Sequence, residues 1–143
     1  VVNPELLQLI DAQQGRLQQL QQLLQQEHQA LVERDADAIE SLLREKLAQL
    51  DAINAADTAL AGHPDVAQLA NDAEARQGIE QCRSVLTQCQ MFNQQNSQLA
   101  DQTLASLSRL QQILNSTKSA NSLTYNQSGT TSSGNRLGKA IKA

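Results

Sequence analysis

The sequence predicts an all-α protein, an antiparallel bundle of three, at most four, long helices with a flexible C-terminal tail. Three observations carry this. Only two prolines and six glycines interrupt 143 residues, and four of those glycines lie at or beyond Gly78. Leu, Ile, Val and Ala recur at helical spacing through most of the chain. Phe92 and Tyr125 are the only aromatics, so the core must be built from aliphatic side chains, which fill helix seams well. The chain is long enough for one domain and an appendage, read as a bundle over 1–116 and a tail over 117–143.

The first helix starts at Asn3, Pro4, Glu5. Asparagine caps, proline lacks an N–H that would be unpaired there anyway, and Glu5 complements the dipole. It should run to about Glu33. Leu6, Ile10, Leu17, Leu20, Leu24 and Leu31 follow a 4,3 spacing that Gln13 and Glu27 interrupt, and Leu7, Leu9 and Leu23 widen the stripe enough for two neighbours. The glutamines between Gln13 and Gln29 are broken by leucines at helical spacing, which makes them a solvated helix face rather than a low-complexity tract.

Asp35 caps a second helix that should reach Ala61, with Gly62 and Pro64 closing it. Its seam is Ile39, Leu43, Lys46, Leu50, Ile53, Asp57 and Leu60, so a lysine falls among leucines. Antiparallel pairing about a turn near residues 36 and 37 brings Glu27 level with Lys46. Either the two form a register-setting ion pair, or their stems snorkel and their charged heads stay in water.

Pro64 can begin a third helical region, with Asp65 in its first turn. From Asp72 to about Ser116 there is no proline and only Gly78, which permits one helix of about 45 residues, nearly 70 Å long. Its seam reads Ile79, Cys82, Leu86, Cys89, Asn93, Asn96, Ala100, Thr103, Leu107, Leu110 and Leu114. The two asparagines either fix register or mark a break. After Leu114 the pattern stops, and Ser, Thr, Asn and Gly dominate a stretch whose composition cannot offset its ordering entropy by burial.

Composition also narrows function. Residues 1–116 hold all 15 acids and 7 bases, for a charge of −8, while the four bases Lys118, Arg136, Lys139 and Lys142 give the tail +4. An acidic body and a sparse, aromatic-poor basic tail argue against nucleic-acid binding. Cys82 and Cys89 are separated by about 10 Å along a helix, too far for a disulfide, and read as small buried residues of a reducing compartment. No signal peptide or apolar span is visible, so a cytoplasmic protein without stable membrane insertion is expected. His28 and His63 belong to no ligand-spaced array, and there is no glycine-rich phosphate loop; no catalytic residue, metal site or cofactor is expected.

The run EHQALVERDADAIESLLREKLAQLDAIN, Glu27 to Asn54, resembles the FlgN family of bacterial flagellar export chaperones. The shared pattern falls here on Glu27, Ala30, Leu31, Asp35, Leu42, Leu43 and Lys46, and NQQNSQLADQTLASLSRL from Asn93 and LTYNQSG in the tail look like the family's second half. Gly129, after the tyrosine, comes later than in the family pattern. The resemblance implies binding of hook-filament junction (hook-associated) proteins through their C-terminal segments, prevention of premature assembly, and delivery to the type III flagellar export gate. A client helix would cover Leu99, Leu107, Leu110 and Leu114, and Tyr125 would dock at the gate or else fold back onto the bundle. The alternative is a structural coiled-coil adaptor or self-assembling subunit, a homo-oligomer whose seam pairs with copies of itself.

Overall fold

The computed structural model describes residues 1–117. It contains α1 (Pro4–Glu33), α2 (Ala36–Ala61), a 3-10 segment (Val66–Asn71) and α3 (Ala73–Thr117). Helix α2 runs antiparallel to α1, and α3 returns parallel to α1. Both pack along α1, while the backbones of α2 and α3 hardly approach each other and the two helices meet through side chains.

The ends of α1 and α2 follow from local chemistry. Asn3 Oδ1 accepts the Glu5 amide at 3.0 Å, and Asp35 Oδ1 accepts the Ala38 amide at 3.1 Å. The turn between the helices is made by Arg34, in the left-handed conformation at φ 56°, with its amide on the Ala30 and Leu31 carbonyls. A non-glycine residue at that position is uncommon and is the one such case among the described residues. Gly62 closes α2 after Ala61, as expected, at φ −88° and ψ 0°.

The third helical region opens with a turn at Pro64 and Asp65 and a 3-10 segment, and α3 follows after Asp72 as the single helix of 45 residues that the sequence permits there; Asp72 Oδ2 accepts the Ala75 amide at 2.8 Å. The reason lies in the contacts of the linker: Asn3 donates through its backbone to Gln68 and through its side chain to Asp65, while Leu69 packs with Leu6, Ile10 and Ala75. The short segment therefore closes the bottom of the bundle.

One offset sets the packing of α3 on α1. Cys82 Sγ faces the Ile10 carbonyl at 3.8 Å, Cys89 Sγ the Leu17 carbonyl at 3.7 Å, and Asn96 Nδ2 the Leu24 carbonyl at 2.9 Å, each 72 residues away. Small side chains every seventh residue let α3 lie close to the α1 backbone. The approach is tight at Gly78, where an added Cβ would stand 2.7 Å from Ile10 Cγ2. Helix α2 is tied to α1 by glutamines: Gln13 donates to the Ile53 carbonyl and Gln49 to that of Arg16, both at 2.9 Å. The interruption of the α1 stripe at Gln13 is thus an interhelical bridge.

Candidate functional site

Two apolar clusters fill the body. The lower contains Leu6, Ile10, Leu69 and Ala75; the middle contains Leu17, Leu20, Leu24, Leu50, Ile53 and Cys89, with Val85, Leu86 and Phe92 packed against it. Above them lies a polar layer. Lys46 Nζ is 2.6 Å from Glu27 Oε2 and 3.0 Å from Asn93 Oδ1, with the lysine side chain 1% and the glutamate 7% exposed. Asn96 Nδ2 donates to Glu27 Oε1 at 3.0 Å as well as to Leu24, and its Oδ1 faces His28 Nδ1 at 3.3 Å.

Lys46 therefore does not snorkel. Burial pushes its pKa down, opposed by the charge and hydrogen bond of Glu27. Among the described residues no buried side-chain nitrogen or oxygen lacks a partner, the atoms of this layer included. The asparagines do not break α3, which is one helix of 45 residues.

Applying the 72-residue offset to Glu33, the last residue of α1, leads to Ala105. The stretch 106–117 of α3 consequently extends past the α1–α2 turn by about 18 Å. Its apolar side chains face outward: Leu107 is 39%, Leu110 53%, Ile113 59% and Leu114 42% exposed. Leu99, still beside the body, is half-buried. The four leucines named from sequence thus share the upper half of α3, and three lie on its projecting end. Tyr125 lies outside the described residues, as does the 118–143 part of the expected tail.

The sequence reading missed a second apolar feature at the opposite end. Between α2 and α3, with α1 as floor, is an open cleft of about 340 Å³, lined by Leu17, Leu50, Ile53, Leu60, Ile79 and Leu86 among others. Nothing in the linear pattern signals it, because the splay of α2 from α3 arises from packing both onto α1. Burial raises the pKa of the partly buried Cys82 thiol and raises that of Cys89 to about 11, away from thiolate character. Among the described residues no group of His, Cys, Asp or Glu side chains could hold a metal ion, and no helix is long and apolar enough to cross a membrane.

A protein-family model described as FlgN protein matches residues 3–133. The chain belongs to the FlgN family. FlgN proteins are flagellar export chaperones, a non-enzymatic class that binds flagellar proteins. No curated protein and no solved structure matches the chain.

Proposed function

We propose that this FlgN-family chain holds the C-terminal segments of hook-associated junction proteins, keeps them from assembling early, and hands them to the export gate. The observation behind this reading is the outward stripe Leu107, Leu110 and Leu114 on the projecting end of α3, continued by Leu99. An amphipathic client helix laid along it would bury its own apolar face and leave its polar face in water. Its cost is low on the chaperone side because α3 is already helical below, fixed by Asn93 and Asn96.

Replacing Leu107 and Leu110 together by Asp should abolish capture of a junction-protein C-terminal peptide in a pull-down while circular dichroism stays helical. Retained capture would exclude this surface. Tyr125 is proposed as the gate contact: Tyr125→Ala should keep client binding and lose gate binding, whereas equal loss of both would make it a structural residue. Glu27 and Lys46 are proposed to set register rather than to touch a client, since neither reaches the surface.

A further inference from the structure

We propose that residues 136–142 of the same chain fold back onto the projecting end of α3 and cover Leu107 and Leu110 until a client displaces them. Among the described residues seven large hydrophobic side chains are exposed, and four of them, Leu107, Leu110, Ile113 and Leu114, stand together on that end. The other three stand singly: Val1 before α1, Val32 in its last turn and Met91 midway along α3. Arg109, the one charged residue of 106–117, is two positions from Leu107 and so about 200° around the helix, which leaves the stripe itself uncharged.

Pattern, reach and charge select this segment. Leu137 and Ile141 are the one pair of large apolar residues at helical spacing in 118–143; wound as a helix they share a side with Ala140, while Lys139 and Lys142 fall on the other. Gly138 disfavours that helix on its own, so it forms against the stripe. A Ser- and Gly-rich connection of the length of 118–135 spans about 23 Å end to end. Leu110 and Leu107 stand about 10 and 15 Å below Thr117, within that span, whereas Leu86 of the α2–α3 cleft is about 46 Å below. The stripe therefore meets the segment at a far higher effective concentration than the cleft does. Placed antiparallel to α3 with Leu137 over Leu110, the segment sets Ile141 beside Leu107 and Lys142 level with Ala105. The 72-residue offset puts Ala105 level with Glu33, at the tip of the α1–α2 hairpin. That tip is acidic: residues 33–45 carry five acids and two bases, all exposed, for a charge of −3, and 136–142 carries three bases and no acid.

The docking needs no client; that a client displaces the segment rests on the function proposed above. The test uses the full chain. With Cys82→Ala and Cys89→Ala in place, Asn135→Cys takes a nitroxide label next to the segment. Amide signals of 104–114 in the same chain should broaden, and Leu137→Asp with Ile141→Asp should restore most of the lost intensity. Broadening that is absent, that falls on 79–86 instead, that survives the two aspartates, or that arises only between chains when spin-labelled and isotope-labelled copies are mixed would overturn the docking. A junction-protein C-terminal peptide then tests displacement. It should remove the broadening and bind the Leu137→Asp, Ile141→Asp chain at least about threefold more tightly than the wild type, because the binding-competent state is no longer partly occupied. A peptide that binds both chains equally and leaves the broadening unchanged sinks the displacement. One that binds neither chain, with the broadening in place, sinks the client reading and leaves the docking standing.

Discussion

Lys46→Met tests whether the polar layer is a satisfied network or a decorative pair of charges. Methionine keeps most of the length and volume of the lysine stem and removes its donors. In the native chain Lys46 supplies one hydrogen bond to Glu27 and one to Asn93, from a position 1% exposed. After the change Glu27 Oε2 and Asn93 Oδ1 both lose their partner inside the bundle, and the glutamate retains only Asn96 as donor. An orphaned neutral acceptor costs about 1–3 kcal/mol and an orphaned charge more. The sum agrees with the roughly 3–5 kcal/mol seen when one member of a buried ion pair is removed. Lys46→Met and Glu27→Leu together remove both charges. The double variant should recover much of the loss, because desolvation of both ions is relieved too. Urea denaturation followed by circular dichroism on the four chains of the cycle measures the coupling energy. A single-variant loss below about 1 kcal/mol with no coupling is what an exposed pair gives, and that result would refute the network.

Other expectations follow from backbone and burial. Gly15→Ala should stabilise by up to about 1 kcal/mol in the same assay, since an added Cβ there meets nothing within 4 Å; Gly78→Ala should destabilise despite the same helix-propensity gain, because its Cβ would press on the branched methyl of Ile10. Arg34→Gly should stabilise by about 1 kcal/mol by relieving the left-handed conformation, and a loss there would mean that the arginine side chain matters to the turn. The Cys89 thiol should resist Ellman's reagent at pH 8 in the folded chain and react fully in urea. Because folding raises its pKa from 9.0 to about 11, the unfolded thiol ionises first, and stability should fall as pH rises across that window. Lys46, with its pKa lowered, has the opposite sign up to 10.5, so comparing wild type with Cys89→Ala isolates the thiol.

The helix starts were readable because their causes are local: Asn3 and Asp35 cap with their own side chains within three residues. The common level of Glu27 and Lys46 was readable too, since a tight turn leaves an antiparallel hairpin little freedom in register; that they pair rather than snorkel was not, because it depends on Asn93 and Asn96 of α3 closing over them. What could not be read depends on groups remote in sequence. Nothing near Cys82, Cys89 or Asn96 announces that each will meet a carbonyl of α1, because that follows from a parallel return through the 3-10 linker. That the region after Pro64 takes the form of a 3-10 linker depends in turn on Asn3 and Leu6, more than fifty residues upstream. Arg34 was unreadable for another reason: sequence preference at a left-handed position favours glycine or asparagine, and here neither is present.

The position of the polar layer bears on how the proposed client surface would work. It lies between the middle apolar cluster and the end of α1, and Asn96 in it is the last buried residue of α3 before the helix projects. Apolar packing alone would tolerate a slip of α3 along α1, because Leu, Cys and Ala surfaces are chemically similar over several turns. Asn96 does not tolerate it: one residue of slip removes its bonds to both Leu24 and Glu27. The direction in which Leu107, Leu110 and Leu114 point is therefore set by Asn96, about three to five turns below them. Asn96→Leu should then leave helix content and the leucines untouched yet weaken junction-peptide binding, with the peptide affinity falling more than the urea midpoint would suggest. If affinity and stability fell strictly together, or affinity did not change, the layer would be a feature of folding alone and the projecting end would orient itself.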